Sequence, residues 1–202
     1  DGAQAETIYF NSDDGRLTAE NCRFSGEQDT IELKGWSCFR NCRVTGDVDF
    51  IWGYVKAALF DSCEICSCDG GYIVQARCKS GDRGFVFLNC ELTASGGVDD
   101  GSVYLARSGG GGDFDNVTYV NCLMDEHIAS AGWHSGKTPT PAAATPDNGW
   151  KEYGSKSMTG HSIDVSGRYS GSIQLTDADC ERLYKDVAAV FSSCPKGYDW
   201  AL

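Results

Sequence analysis

Two aspartates lie at matching distances from two cysteines, and this spacing suggests paired-carboxylate chemistry. Asp29 follows Cys22 by seven residues, and Asp49 follows Cys42 by seven residues. If a repeat stacks these segments, the two carboxyl groups become neighbours, and like charges at that range raise the proton affinity of one member. One carboxylate then stays ionised while the other holds a proton near neutral pH. A nucleophile and a general acid are thereby available together.

The alternative interpretation is a pair of solvated turn aspartates, since aspartate is common in turns. The flanking residues favour a functional role. Asp29 is followed by the apolar-rich segment 30–33, and Asp49 lies within Val48-Asp49-Phe50-Ile51-Trp52-Gly53. Both segments are typical of β-strands.

A cysteine repeat indicates the elements that would position these aspartates. Five of the eleven cysteines follow a polar residue and precede an apolar residue by two positions; they are Cys22, Cys42, Cys63, Cys90 and Cys122. Three positions before each stands Ala19, Phe39, Phe60, Phe87 or Tyr119. The steps of 20, 21, 27 and 32 residues are too short for paired-helix repeats and lack the leucine pattern of a horseshoe. They predict an all-β fold, a parallel β-helix, in one domain of residues 1–202.

Such a solenoid stacks like residues about 4.8 Å apart between coils. We therefore expect the repeat cysteines to point inward, the Asn or Ser before each to lie at a bend, and the Cα atoms of Asp29 and Asp49 to be about 5 Å apart. The longer steps predict loops at Ser67–Gly71, Thr93–Gly101 and Ser108–Asp113.

The cysteines have a structural interpretation as a buried ladder of small apolar side chains. A zinc site from Cys63, Cys66, Cys68 and Cys78 is an alternative, but the C-x2-C-x-C-x9-C spacing lacks the paired knuckles of common zinc sites. Cys180 and Cys194 could pair in an oxidising compartment. No metal or organic cofactor is expected.

Charge and hydropathy exclude several classes of partner. The net charge of −12 argues against nucleic acid and anionic membranes, because no basic block offsets it. The sequence contains no run of about 18 apolar residues, the length needed to cross a bilayer as a helix. Asp1 begins the chain without a basic, apolar signal segment, which favours a mature, processed or trimmed chain.

The last part of the chain carries helix signals. Thr176–Asp179 is typical of a capping box, and apolar residues follow at helical spacing at Leu183, Val187, Val190 and Phe191. We expect one amphipathic helix over residues 176–192, packed against the β-helix.

Five motifs occur in order along the chain and together resemble one known family. They are Gly-Glu-Gln-Asp-Thr-Ile at 26–31, Gly-Asp-Val-Asp-Phe-Ile-Trp-Gly at 46–53, Tyr-Leu-Ala-Arg at 104–107, Met124 to Trp133, and Glu152 to Gly160. This set resembles the pectin methylesterases (pectinesterases), whose members fold as right-handed parallel β-helices. The resemblance covers most of the chain, but the first coils usual in that family do not precede Gln4.

The resemblance implies a role for each matched residue. Asp49 would be the nucleophile that attacks a galacturonate methyl ester, and Asp29 the acid and base. Arg107 would pair with Asp49. Gln28 and Gln4 would hold the negatively charged tetrahedral intermediate. The alternatives are amides that satisfy backbone groups and an arginine at the surface.

Two tryptophans match family aromatics that contact the sugar chain. Trp52 and Trp133 would offer indole faces to pyranose rings, and the alternative for each is core packing. After Arg107 the family usually continues with Pro-Trp, whereas this chain has Ser108–Gly112. An aromatic platform is therefore missing.

The resemblance implies a secreted or periplasmic enzyme that hydrolyses methyl esters in pectin and releases methanol through an aspartyl acyl-enzyme. Its partner would be methylated polygalacturonate, with no nucleic acid and no membrane. A catalytically weak or inactive carbohydrate-binding β-helix is the main alternative. A polysaccharide lyase or hydrolase on the same solenoid is a second.

Overall fold

The computed structural model describes residues 6–195 and 197–201, and its named strands pair in parallel from coil to coil. The strands are β1 (Ile8–Phe10), β2 (Arg16–Glu20), β3 (Arg23–Ser25), β4 (Ile31–Arg40), β5 (Arg43–Asp61), β6 (Glu64–Ala76), β7 (Gly84–Leu88), β8 (Glu91–Ala94), β9 (Val103–Arg107), β10 (Val117–Val120), β11 (Leu123–Met124), β12 (Trp133–His134), β13 (Trp150–Tyr153), β14 (Lys156–Ser157) and β15 (Ile173–Gln174). The predicted parallel β-helix is confirmed.

The coils build three faces, because β4, β5 and β6 are long enough to turn corners. The first face joins β2, the ends of β4 and β5, and then β7, β10, β13 and β15. The second joins β3, the beginnings of β5 and β6, and then β8, β11 and β14. The third joins β1, the beginning of β4, the middle of β5, the end of β6, β9 and β12.

An aromatic stack runs through the core along the first face. Phe39 and Phe60 have ring centroids 4.7 Å apart, Phe60 and Phe87 4.9 Å, and Phe87 and Tyr119 4.5 Å. These are the residues three positions before the repeat cysteines. The parallel register places each directly over its equivalent in the next coil, which confirms the repeat.

The repeat cysteines form the predicted ladder of free thiols. Cys42, Cys63, Cys90 and Cys122 are buried, and Cys22 is half-buried. Each buried thiol donates to a carbonyl oxygen of the preceding coil, at 3.3 to 3.5 Å; the acceptors are Ala19, Phe39, Phe60 and Phe87. The ladder therefore links neighbouring coils as well as filling space.

The residue before each repeat cysteine lies at a bend, as predicted. Asn21, Asn41, Ser62, Asn89 and Asn121 have φ between 48° and 56°. Asparagine tolerates this left-handed conformation better than most side chains. This explains why four of the five positions carry Asn.

One of the three predicted loops is wrong. Residues 67–71 lie within β6, where the partner of Gly46 is Ser67 but the partner of Val48 is Tyr72. The extra residues form an irregularity in the strand instead of a loop, because the flanking residues keep their pairing on both sides. The segment 108–113 does follow β9, and the segment 93–101 follows β8 except for its first two residues, which are the end of that strand.

The end of the chain forms two short helices instead of the single helix expected over 176–192. They are α1 (Asp177–Leu183) and α2 (Val187–Val190), followed by a 3-10 turn at Asp199–Ala201. The capping box of Thr176 and Asp179 is present. The helix is interrupted because the Asp186 side chain caps α2 by accepting from the Ala189 N–H. Together these elements cover the outward apolar side of the first face.

We expect the aromatic stack to be a main source of stability. Phe60 is fully buried between two stacked rings, so Phe60→Ala should lower the free energy of unfolding by about 3–5 kcal/mol. Tyr9, 60% exposed on β1, provides the control: Tyr9→Ala should change it by less than about 1 kcal/mol. Urea unfolding measures both. Equal effects of the two substitutions would contradict this assignment of the core.

Candidate active site

Asp49 occupies a bulge in β5. Val48 pairs with Tyr72 and Ile51 pairs with Val74, so Asp49 and Phe50 together oppose a single residue of β6. The backbone of Asp49 has φ of 51°, a conformation that Asp adopts more readily than most residues. Bulges re-aim side chains beside active sites. Here the bulge and the left-handed backbone set the direction of the Asp49 side chain.

Asp29 lies between β3 and β4, one coil before Asp49. The pairs Ser25 with Thr45 and Ile31 with Ile51 carry the same offset of 20 residues, which places Asp29 opposite Asp49. Its φ is 58° and its N–H donates to the Val48 carbonyl at 3.1 Å. The structure thus brings together the two aspartates that the cysteine spacing paired.

Three donors converge on the carboxylate of Asp49, which is only 4% exposed. Arg107 Nε donates to Oδ1 at 2.8 Å and to Oδ2 at 3.0 Å, and Arg107 Nη2 also contacts Oδ2. Gln75 Nε2 donates to Oδ2 at 2.6 Å. Such charge-assisted bonds favour the ionised carboxylate.

The two carboxyl groups differ in what surrounds them. Burial, with the negative charges of Asp49 and Glu6, raises the pKa of Asp29 to about 6, although the positive charges of Arg77 and Arg107 oppose this rise. Burial also raises the pKa of Asp49, while Arg107, Arg77 and Gln75 act against that rise. Because the hydrogen-bond donors serve Asp49, a proton shared by the pair resides on Asp29.

The third face supplies the remaining side chains of the site. The register places Trp52 beside Gln75, and the pairing of Val74 with Ala106 continues this row to Arg107. Arg77, two residues after Gln75, donates to Gln75 Oε1 from Nε at 2.9 Å and from Nη2 at 2.5 Å. Gln75 and Arg77 were not predicted as site residues. The repeat gave no signal for them, because Gln75 and Arg107 are 32 residues apart whereas the cysteines that precede them, Cys63 and Cys90, are 27 apart.

An aromatic cluster flanks Arg107 on the same face. Tyr72 and Tyr104 stack with ring centroids 5.9 Å apart, and the His134 ring lies 4.9 Å from each. The Arg107 guanidinium lies 4.6 Å from the Tyr72 ring centroid. Half-buried aromatic rings beside polar groups can support a sugar ring.

The remaining predicted residues have different placements. Gln28 is half-buried and directly precedes Asp29 in the chain, whereas Gln4 lies outside the described residues. Trp52 is half-buried, with the Arg77 guanidinium 4.8 Å from its ring centroid. The expectation that Trp133 contacts a substrate is wrong for this structure. Trp133 is 1% exposed and stacks on Trp150, because β12 directs it into the core.

The segment after Arg107 forms a glycine loop anchored at both ends. Ser108 is buried and donates to Asp115 at 2.9 Å, and Lys137 donates to the Gly109 carbonyl at 3.0 Å. A Cβ at Gly109 would lie 3.1 Å from Gln75 Oε1. The loop therefore lies against the site at Gly109, whereas Gly111 and Gly112 face open space.

Among the described residues, no group of three or more His, Cys, Asp or Glu side chains is arranged to hold a metal ion. The groups that can act chemically are the paired carboxyls and the guanidiniums and amide around them. A buried carboxylate held by arginine, with a protonated carboxyl one coil away, can perform nucleophilic attack with general acid assistance.

A family model described as Pectinesterase matches residues 1–178. Among curated relatives, Pectinesterase 31 of Arabidopsis thaliana is 38% identical over 135 residues, covering 65% of this chain and 40% of that protein. A probable pectinesterase A of Aspergillus flavus is 36% identical over 145 residues, covering 68% and 43%. The chain thus spans about two fifths of the length of these relatives.

Solved structures of pectin methylesterases are similar in fold to this chain. The pectin methylesterase of Aspergillus niger has 27% identity and a TM-score of 0.63, covering 85% of this chain and 57% of that one. The pectin methylesterase PemA of Erwinia chrysanthemi has 26% identity and a TM-score of 0.65, covering 87% and 56%. Both the sequence and the fold of this chain are therefore similar to this group of proteins.

The raised pKa of Asp29 makes stability depend on pH. Since the folded pKa of about 6 exceeds the ordinary 3.8, the native state binds more protons than the unfolded state between these values, and stability falls as pH rises through that window. Asp29→Asn removes this titration and suits the left-handed backbone. We expect the variant to be stabilised relative to wild type at pH 7.5 but not at pH 3.5, as measured by urea unfolding at both pH values.

Identical pH dependence of unfolding in wild type and Asp29→Asn would contradict the assignment. Asp69→Asn is the matched control, since Asp69 is exposed on β6. It should leave the pH dependence of wild type unchanged.

Proposed function

Because this chain belongs to the pectinesterase family, we propose that it hydrolyses the methyl esters of galacturonate residues in pectin and releases methanol. The observation that carries the proposal is the pairing of Asp49, held by Arg107, with Asp29 one coil away. This geometry supports an aspartyl acyl-enzyme mechanism. The alternative of a polysaccharide lyase or hydrolase finds no support in the matches to pectinesterases.

In the first half of the reaction, Asp49 Oδ1 attacks the ester carbonyl carbon. Oδ2 accepts bonds from both Arg107 and Gln75, whereas from the described residues Oδ1 accepts only the bond from Arg107 Nε, so Oδ1 keeps a lone pair for the attack. The carbon–methoxy bond then breaks, and the departing oxygen takes the proton of Asp29. Methanol leaves, and an anhydride joins Asp49 to the galacturonyl group.

In the second half, ionised Asp29 takes a proton from water while the water oxygen attacks the galacturonyl carbon. The bond from that carbon to Asp49 Oδ1 breaks, which frees the galacturonate carboxyl and restores the Asp49 carboxylate. Asp29 is again protonated, so the cycle is closed. Amide N–H groups stabilise the negative oxygen in both halves, a role that we propose for Gln28 and Gln4.

We propose that the sugar chain lies along the third face, across the half-buried Trp52 and the cluster of Tyr72, Tyr104 and His134. This cluster offers rings on the side where the family's Pro-Trp platform is replaced by the loop 108–112. A polymeric substrate such as pectin also favours a secreted or periplasmic location for this protein. No helix within residues 6–195 and 197–201 is long and apolar enough to span a membrane.

A carbohydrate-binding β-helix without catalysis is the second candidate. The replacement of Pro-Trp by Ser108–Gly112 favours it, because loss of an aromatic platform weakens substrate placement. The intact contacts of Asp49 with Arg107 favour the enzyme instead. The two candidates differ in one observable product, methanol.

The test is methanol release from highly methylated pectin by the full chain, measured from pH 4 to pH 8. We expect turnover by wild type and a loss of about 10⁴-fold or more in Asp49→Asn, because removing a nucleophile costs on this order. Asparagine suits the φ of 51° at this position. Asp69→Asn should retain wild-type turnover.

A wild-type chain that binds methylated pectin but releases no methanol in this pH range would overturn the proposal in favour of the binding β-helix. Methanol release that survives in Asp49→Asn would instead remove Asp49 as the nucleophile.

A further inference from the structure

Gln75 holds the oxygen of Asp49 that does not attack. Its Nε2 donates to Oδ2 at 2.6 Å, and the side chain is only 6% exposed. Arg107 Nη2 donates a hydrogen bond to the same oxygen. With Oδ2 held by donors on two sides, rotation of the carboxylate about its Cβ–Cγ bond would break both contacts. The carboxylate plane is therefore fixed by Gln75 and Arg107 together.

Arg77 determines which way the Gln75 amide points. Gln75 Oε1 accepts from Arg77 Nε and Nη2 at 2.9 and 2.5 Å. An amide turned by 180° would place its NH2 against the guanidinium and its carbonyl oxygen against the Asp49 carboxylate. Both contacts would then be repulsive, since a guanidinium only donates and a carboxylate only accepts. The amide thus has one favourable orientation.

Arg77 is itself held by the third face and does not depend on a substrate. Nη1 donates to the Tyr54 hydroxyl at 2.9 Å, and the guanidinium lies 4.8 Å from the Trp52 ring centroid and 5.6 Å from that of Tyr54. Its backbone N–H donates to the Gly53 carbonyl at 2.9 Å. These contacts hold the Arg77 guanidinium in place, so it can orient the Gln75 amide.

We propose that Gln75, oriented by Arg77, is a positioning residue that holds Asp49 Oδ2 and leaves Oδ1 free to attack. The effect of Gln75 on turnover rests on the proposed function. The hydrogen bonds from which the inference is argued do not depend on that function. The Gln75 amide is occupied by Asp49 and Arg77, and Gln75 is only 6% exposed, which leaves it no group to offer a substrate. It acts through Asp49 alone.

The proposal predicts a specific kinetic pattern for Gln75→Leu, which keeps similar volume but donates nothing. The kcat for methanol release should fall about 10- to 100-fold, as expected for loss of one hydrogen bond to a charged group. KM should change less than about 3-fold, because Gln75 does not touch the substrate. The acid limb of kcat/KM should move to higher pH, since Asp49 loses a donor that lowers its pKa.

A double-mutant cycle tests the role of Arg77. If Arg77 acts by orienting the Gln75 amide, Arg77→Met should reduce kcat less in the Gln75→Leu background than in wild type. Gln75→Glu should be more damaging than Gln75→Leu, because it places a second negative charge against Asp49. Gln174→Leu, at an exposed position on β15, is the matched control and should behave as wild type.

The pKa of Asp49, measured by NMR with 13C-labelled aspartate, provides a readout that needs no turnover. It should rise in Gln75→Leu, while the unfolding transition stays cooperative. Wild-type kcat and an unmoved acid limb in Gln75→Leu would overturn the inference and leave the esterase activity standing. If wild type releases no methanol, the proposed function fails, and an unchanged Asp49 pKa in Gln75→Leu would overturn this inference as well.

Discussion

The parallel register between successive coils is the constraint on which the site depends. Each coil is stacked on the next by the aromatic and thiol ladders of the core, so residues with equal offsets become neighbours. This register places Asp29 against Asp49. Both aspartates adopt left-handed backbone, a conformation that costs of order 1–3 kcal/mol for residues other than glycine. The stacked core holds them in that conformation.

The close pair also explains the charge distribution around it. Two buried carboxyls would strongly oppose each other if both were ionised. Arg107 and Gln75 donate hydrogen bonds to Asp49, and Arg77, two residues after Gln75, adds a positive charge nearby. Asp29 lacks such donors among the described side chains. Although the protein has a net charge of −12, two arginines, Arg77 and Arg107, therefore lie where one carboxylate must remain ionised.

The parts of the site that follow the repeat could be predicted from sequence, and those that depend on irregularities could not. Equal spacing from Cys22 and Cys42 was enough to pair Asp29 with Asp49. Gln75 follows an irregular stretch of β6 that shifts its register, so no constant offset connected it to Asp49. Trp133 matched a family aromatic, but motif position does not determine which face of a two-residue strand points inward. The break between α1 and α2 depends on the Asp186 cap, which is a local contact that apolar periodicity does not reveal.

The most direct test of the account is the pKa of the Asp29 carboxyl, followed by NMR with 13C-labelled aspartate in wild type and in Asp49→Asn. Burial and the charge of Asp49 predict a wild-type value of about 6 and a lower value in Asp49→Asn, because the neighbouring negative charge is gone. A wild-type pKa near the ordinary 3.8, or a raised value that Asp49→Asn leaves unchanged, would contradict the claim that the two carboxyls share one site.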